Sequence, residues 1–319
     1  MTDKPTVSIV TPVYNEKESL PRFFERVIPV MESIGLPFEI VAVSDGSRDG
    51  SEEILREYCA KDERVKAVFF SRNFGQQAAI LCGFANASGD AVICIDADLQ
   101  DPPEIFPRMI EKWQEGYEIV HGKRNVRKGE SFLKKFTSTM FMKVLRNFSG
   151  LDVPQNTGEF KLYDRKVVDA IVALPERSRY LRAQATWVGF RSAEVCFDRE
   201  ERAVGETKYN YKKMIKLAES GIVPYSPKLL HLPGRVGRFG VAASLVCYLV
   251  FIVLACVGKP LPLVAWLFPT VFFCTSVLLA LSSVTDVYLG YMYDELKRRP
   301  VYIEREKINF EVKDGIDRK

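Results

Sequence analysis

Between Phe239 and Thr285 the chain carries one charged residue, Lys259. Phe239 to Gly258 is one uncharged run and Pro260 to Thr285 is another. At about 1.5 Å per helical residue, either run can cross a hydrocarbon layer about 30 Å thick. A buried core helix explains one such run, whereas two in succession read as a hairpin of transmembrane helices. Lys228, Arg235 and Arg238 precede the first run, and Lys297, Arg298 and Arg299 follow the second. By the positive-inside rule both flanks, and with them both termini, face the cytoplasm. The first ten residues, MTDKPTVSIV, lack the basic and apolar regions of a signal peptide. The expectation is an integral membrane protein whose remaining sequence folds in water.

Residues 1–125 set the type of that folded part. VSIVTPV (Val7–Val13), FEIVAVS (Phe38–Ser44), VKAVFFS (Val65–Ser71), AVICID (Ala91–Asp96) and EIVHGKR (Glu118–Arg124) read as strands. Between them, Glu18–Ser33 has apolar residues near helical spacing. A helix capped by Asp49 or Ser51 runs through Cys59, and a third covers Gln76–Ala87. Alternating strands and helices with near-continuous apolar strands predict an α/β domain with a mostly parallel sheet covered on both faces. Ligands of such sheets bind beyond the carboxyl ends of the strands, at a topological switch point.

That rule draws attention to ICIDADLQDPPEI, where an apolar strand ends in Asp96, Asp98 and Asp101. Tyr14, Asn15 and Glu16 follow the first strand and Asp45 follows the second, at the same edge. For Asp45, Asp49 and Asp101 a turn or helix cap serves equally well. A cap needs one acid, however, and not the pair Asp96 and Asp98 flanking an alanine. Such a pair suits a hard divalent cation held through oxygen, Mg²⁺ or Mn²⁺, and such a cation suits a diphosphate. The seven cysteines contain no CxxC pair, and His121 and His231 are the only histidines. Zinc and a disulfide framework are therefore disfavoured. A net charge of +4 is too mild to imply nucleic acid, although basic residues crowd Lys123–Arg146 and Arg199–Arg238.

Residues 130–235 are mixed. Ser131–Phe148 reads as a helix and Ser192–Asp198 as a strand. Lys208–Val223 has apolar Tyr211, Met214, Ile215, Ala218 and Ile222 on one face, as a helix at a membrane surface or an ordinary core helix would.

TPVYNE (Thr11–Glu16), SDGSRDGS (Ser44–Ser51), SRNFGQQAA (Ser71–Ala79) and DADLQDPPE (Asp96–Glu104), in that order, resemble the blocks of the GT-A-fold family 2 glycosyltransferases. KGESFLKK (Lys128–Lys135), WVGFR (Trp187–Arg191), GETKY (Gly205–Tyr209) and YDELKRRPVY (Tyr293–Tyr302) extend the likeness to the polyprenyl-phosphate branch. That branch contains dolichyl-phosphate mannose synthase and the bactoprenol glucosyltransferases. The resemblance implies that Asp96, Asp98 and Gln100 match the metal and diphosphate segment. Pro12, Tyr14, Glu16, Asp45 and Ser71 fall on the nucleotide-donor side. Arg72, Arg124, Arg127, Arg202 and Lys208 are candidates for the acceptor phosphate, where arginine grips bidentately. Asp98 and Glu159 are the candidate catalytic residues. Two departures stand out. Ser44 replaces the first acid of a block usually read DDGS, and GEFKL (Gly158–Leu162) replaces GDFRL, so Glu159 reaches one methylene further than Asp.

The resemblance implies an inverting transfer of a sugar from a nucleotide-sugar, UDP-glucose or similar, to polyprenyl phosphate, with a GDP-mannose-dependent mannose synthase as the alternative. The implied setting is a bacterial inner membrane, with membrane lipids and a homo-oligomer, up to a tetramer, as partners. The expected organisation is a catalytic domain over 1–207, an interfacial helix and linker over 208–234, two spans within 235–293 (about 239–258 and 261–285) and a tail over 294–319. Three rivals are weaker. A processive synthase carries QxxRW, and this chain has QATW (Gln184–Trp187). A non-catalytic scaffold has no reason to keep both acids, and a nucleotidyltransferase needs a Gly-rich basic loop that TPVYNEKES lacks.

Overall fold

The computed structural model describes residues 6–125, 157–177, 179–198, 256–257 and 262–310. The chain divides into two compact units. One comprises Met1–Met142, Leu151–Asn210 and Pro300–Lys319, the other Lys143–Gly150 and Tyr211–Arg299.

The first unit is built on an eight-stranded sheet. Its elements in chain order are β1 (Val7–Val13), α1 (Leu20–Ile34), β2 (Phe38–Ser44), α2 (Ser51–Lys61), β3 (Val65–Phe70), α3 (Gln76–Asn86), β4 (Ala91–Cys94), α4 (Phe106–Gln114), β5 (Ile119–Arg124), β6 (Thr157–Asp164), α5 (Arg165–Ala173), α6 (Leu181–Trp187), β7 (Ser192–Phe197) and β8 (Glu304–Ile308). The strand order is β7-β5-β6-β4-β1-β2-β3-β8. The expected parallel core is the block β3-β2-β1-β4. The sheet is more mixed than "mostly parallel" implies. β6 runs antiparallel to both β4 and β5, and β8 runs antiparallel to β3, while β5 and β7 pair in parallel.

Both faces of the parallel block are covered, which is why its strands read as continuous apolar runs. One face packs Ile9, Ile40, Phe69 and Ile93 against Leu20, Phe23, Phe24 and Val27 of α1. The other packs Val10, Val41, Val68 and Cys94 against Ala78, Ala79, Ile80 and Cys82 of α3. Gly83 lets α3 approach closely, since a Cβ there would lie 2.2 Å from Val10 Cγ1.

β1 and β4 pair only as far as Val10 and Cys94. Pro12 lies past that last rung, where its missing N–H costs the β4 ladder nothing. β1 also stands between β2 and β4, where the strand order reverses direction. The two strands therefore part at a topological switch point, with the β1–α1 loop and the acid-rich segment after β4 on either side.

Part of the expected tail is a strand. β8 closes the β3 edge, where Arg56 forms a bidentate pair with Glu306 at 2.5 and 2.6 Å. Asn309 donates to the carbonyls of Cys59 and Val65, and Tyr302 stacks on Phe70. Alternating charges on EREKI suit an edge strand with one solvated face.

The second unit contains α7 (Leu263–Leu296), a continuous helix of 34 residues. Among the described residues no helix is long and apolar enough to cross a membrane, and many side chains of α7 lie outside that set. The expected first span, about 239–258, falls outside the described residues except for 256–257. So do the expected helices at Ser131–Phe148 and Lys208–Val223.

Candidate active site

Two loops at the switch point are laced together. Asn15, with φ of 56°, donates its N–H to Ser47 Oγ and accepts from Arg48 N–H. Glu16 N–H donates to Ser51 Oγ, and Lys17 N–H donates to Asp49 Oδ2. Asp49 also accepts from Ser51 at the start of α2. The blocks TPVYNE and SDGSRDGS thus form one rigid wall, on which Tyr14 is exposed and Pro12 half-buried.

Asp45 lies behind this wall and is only 2% exposed. It accepts from the N–H groups of Phe74 and Gly75 at 2.6 and 2.9 Å. Burial pushes the carboxyl above its ordinary range, while those two N–H groups and the nearby Arg72 pull the other way. Gly46 passes so close to the Arg72–Asn73 backbone that a Cβ would lie 2.6 Å from Arg72 C, and its φ is +68°. Asp45, expected on the donor side, here fixes the loop leading into α3. Ser71, on the same loop, gives its N–H to Ile303 and is exposed. Arg72 is exposed too, with its guanidinium 4.0 Å over the Phe74 ring and one N–H on Asn73 O.

The opposite side is acidic. Asp96 follows β4, whose chain still bonds β1 through Ile95 N–H to Val10 O at 3.0 Å. Asp96 Oδ1 accepts from Gln76 Nε2 at 2.8 Å, at the N-terminus of α3. Burial, and then the negative charges of Asp98, Asp101 and Glu159, push Asp96 up to about 7. Part of its surface remains open to solvent. Asp98 Oδ1 accepts from Gln100 N–H at 3.2 Å across Leu99, which adopts the left-handed region at φ of 53°. A side chain other than glycine there costs about 1–2 kcal/mol.

The register of β4 and β6 explains why Glu159 belongs with these acids. Cys94 stands opposite Lys161. That is the last rung of the pairing, and Glu159, two residues before Lys161 on β6, brings its negative charge to bear on Asp96 just past the end of β4. Glu159 is 5% exposed. Its Oε1 accepts from Arg182 Nε at 2.8 Å and from Gln77 Nε2 at 3.2 Å. Arg182, on α6, is half-buried, and Gln77 Oε1 in turn accepts from Leu181 N–H. Lys161 lies two residues along β6 on the same face. It is wholly buried, and its Nζ has no hydrogen-bond partner among the described residues. Burial lowers it to about 8. The neighbouring His121 is kept neutral, pushed down to about 3 by burial and then by the Lys161 charge.

Arg124, expected on the acceptor phosphate, is engaged inside the protein. It grips the 2%-exposed Asp101 through Nε and Nη2 at 3.1 and 2.9 Å. A Cβ at Gly158 would lie 2.9 Å from Arg124 Nη2, so that glycine makes room for the pair. Arg127, Arg202 and Lys208 lie outside the described residues. Gln76, Gln77, Lys161 and Arg182 are site residues that the sequence reading passed over, although QQ stood in the quoted block SRNFGQQAA.

Among the described residues no three His, Cys, Asp or Glu side chains form a ready-made metal cage. Asp96, Asp98 and Gln100 nevertheless fit a cation that also takes ligands from a bound diphosphate, as Mg²⁺ does with one or two carboxylates. The crowding of negative charge about Asp96 is what such a cation relieves.

Residues 8–172 match the family described as Glycosyl transferase family 2. The chain is 42% identical over 308 residues to the uncharacterised glycosyltransferase YkcC of Bacillus subtilis (strain 168), covering 96% of this chain and 95% of that one. It is 37% identical over 298 residues to the SfII prophage-derived bactoprenol glucosyl transferase of Shigella flexneri, covering 93% and 96%. A crystal structure of mannosyl-3-phosphoglycerate synthase from Rubrobacter xylanophilus overlaps 72% of this chain and 75% of its own, at 16% identity and a TM-score of 0.49. An acid-lined switch point on a mixed α/β sheet is thus found in a glycosyltransferase. The chain belongs to glycosyl transferase family 2.

Proposed function

We propose that the protein transfers a glycosyl group, with inversion, from a nucleotide-sugar to polyprenyl phosphate. The observation that carries the reading is the acidic turn Asp96–Asp98 at the β1/β4 switch point. Relatives named bactoprenol glucosyl transferase, 36–37% identical over most of the chain, support a glucosyl donor and a bactoprenol-type acceptor, while UDP as the carrier rests on the family resemblance.

Asp96, Asp98 and Gln100 would hold Mg²⁺ or Mn²⁺, which when bound neutralises charge on the departing diphosphate. Tyr14, Pro12 and Glu16 form the wall along which the nucleoside would lie, and Asp45 holds the facing loop in shape. Exposed Arg72 is available to an anionic oxygen. A lipid phosphate oxygen attacks the anomeric carbon as the bond to the diphosphate breaks, and the nucleoside diphosphate leaves with the electron pair. A phosphomonoester is already largely ionised at neutral pH, its second pKa being about 6, so no strong base is needed. The protein's task is alignment and stabilisation of the leaving charge. Glu159 then serves as a fixed carboxylate beside the acceptor path.

Membrane anchoring belongs to the same reading. Extracting a polyprenyl tail costs about 0.8 kcal/mol per CH₂, so the enzyme must work at headgroup depth. Two uncharged runs support this, the second of which overlaps the 34-residue α7. So do the exposed side chains Val264, Leu267, Val271 and Leu278 along α7. The proposed homo-oligomer rests on the family resemblance.

The test incubates membranes containing the protein with polyprenyl phosphate, Mg²⁺ or Mn²⁺ and separate UDP- and GDP-sugars. Lipid-linked sugar from one UDP-sugar is the expected result. No lipid product from any donor would refute the reading.

A further inference from the structure

The loop from Ser71 to Gly75 carries Arg72, the exposed cation that the proposed function offers to an anionic oxygen. Its backbone is pinned at both ends. Ser71 donates its N–H to Ile303 O at 3.0 Å, and Phe74 and Gly75 donate theirs to Asp45. Those bonds fix the backbone and leave the long Arg72 side chain to be held by something else. An arginine that must be ordered at the moment of binding loses side-chain freedom then, and its grip weakens accordingly. What orders Arg72 is a run of rings. Its guanidinium lies 4.0 Å over the Phe74 ring. Phe74 stands edge-on to Phe70, with ring centroids 5.6 Å apart and planes at 89°. Tyr302 stacks on Phe70 at 5.1 Å and 10°. Both ring pairs have the separations and orientations at which aromatic side chains attract. A planar cation lying on a ring face presents its N–H groups edgewise, in the fork that matches two phosphate oxygens. One of those groups donates to Asn73 O. Tyr302 comes from the segment that joins the end of α7, at Leu296, to β8. It is half-buried, and its hydroxyl lies beside Cys82 of α3, so the contact with Phe70 belongs to its ring.

We propose that Tyr302 is a positioning residue for the transfer reaction, holding the Arg72 guanidinium ready for a phosphate oxygen through the stacked rings of Phe70 and Phe74. Tyr302 does not touch substrate. It acts through Arg72, and the inference rests on the function proposed above. The segment that returns from α7 thereby shapes the site as well as covering the β3 edge.

The test compares steady-state transfer by full-length wild type, Tyr302→Leu, Tyr302→Phe, Arg72→Gln and the double variant Tyr302→Leu/Arg72→Gln, with thermal unfolding of each. Tyr302→Leu should raise one KM about two- to tenfold, the factor equivalent to one aromatic pair. Its kcat should stay within about twofold, as for a lost binding contact. A rise in the acceptor KM places Arg72 on the lipid phosphate, and a rise in the donor KM places it on the diphosphate. Tyr302→Phe keeps the ring and should behave as wild type. In the Arg72→Gln background, Tyr302→Leu should add less than about 1.5-fold, because the group it positions is gone. Wild-type values of both KM in Tyr302→Leu overturn the inference. So does a phenylalanine variant as impaired as the leucine one, or an undiminished effect of Tyr302→Leu in the Arg72→Gln background, which would make Tyr302 a packing residue. Where Tyr302→Leu does not fold, Phe74→Leu takes its place in the same comparison, and its failure to raise either KM, or to fold, likewise overturns the inference. Absence of transfer by the wild type would instead sink the proposed function, so the two failures are distinguishable.

Discussion

Replacing Arg124 by glutamine separates two roles for that side chain. The resemblance makes it a phosphate ligand, whereas the geometry makes it the partner of Asp101. Asp101 is 2% exposed and a quarter of the Arg124 side chain is open to solvent. Removing one partner of a fully buried ion pair costs about 3–5 kcal/mol. The partial exposure of the guanidinium reduces this to about 2–3 kcal/mol. In a domain of this size each kcal/mol moves the melting midpoint by about 2–4 °C, so Arg124→Gln should melt about 4–12 °C lower. The double variant Asp101→Asn/Arg124→Gln should regain about 1 kcal/mol or more over the sum of the single changes, because no buried charge is left alone. Thermal unfolding of the full-length protein, paired with the acceptor KM, reads both effects. An unchanged midpoint with a raised acceptor KM would refute the structural assignment and return Arg124 to the phosphate.

Asp96→Asn should abolish transfer yet stabilise the free protein. With its folded value raised to about 7 from the ordinary 3.8, Asp96 favours folding below pH 3.8, and that contribution is lost as the pH rises through 7. The neutral variant should therefore be more stable at pH 8, by about 1–2 kcal/mol after allowing for its partial exposure, and should lose that advantage below pH 4. His121 has the opposite sense. Its folded value, about 3, lies below the ordinary 6.5, so stability is full above pH 6.5 and falls as the pH drops. The slope is about 1.4 kcal/mol per pH unit, and His121→Gln should flatten it in a melting series from pH 7 to pH 5. Ending the chain after Pro300 removes β8, the Arg56–Glu306 pair and the Asn309 bonds. It should lower the melting midpoint and raise aggregation by baring the β3 edge. An unaltered midpoint would show that β8 is not part of the folded unit.

The parallel core was legible because strands covered on both faces are written in unbroken apolar residues, as in FEIVAVS and VKAVFF. Their ends were less so. The expected strand AVICID stops at Cys94, where β4 parts from β1, and nothing in the residues themselves marks that divergence. β6 was missed because TGEFKLYD buries Glu159 and Lys161, which a hydropathy reading assigns to the surface. β8 was missed because its residues alternate Glu, Arg, Glu and Lys as a solvated edge does. At the site, the acids after β4 could be read from position alone. Their relation to Glu159 could not, because it depends on the antiparallel register of β4 with β6. Arg182 and Gln77 enter only through that same pairing. The engagement of Asp45 and Arg124 within the protein is likewise tertiary, since either side chain in isolation looks free for a ligand.

The most direct test of the account is transfer of labelled sugar from a UDP-sugar to polyprenyl phosphate by the full-length protein, with wild type and Asp98→Ala side by side in Mg²⁺ or Mn²⁺. The account predicts lipid-linked product with wild type, its loss on chelation of the cation, and a fall of about a hundredfold or more in the variant. Equal transfer by Asp98→Ala, or transfer that persists in excess chelator, would contradict it.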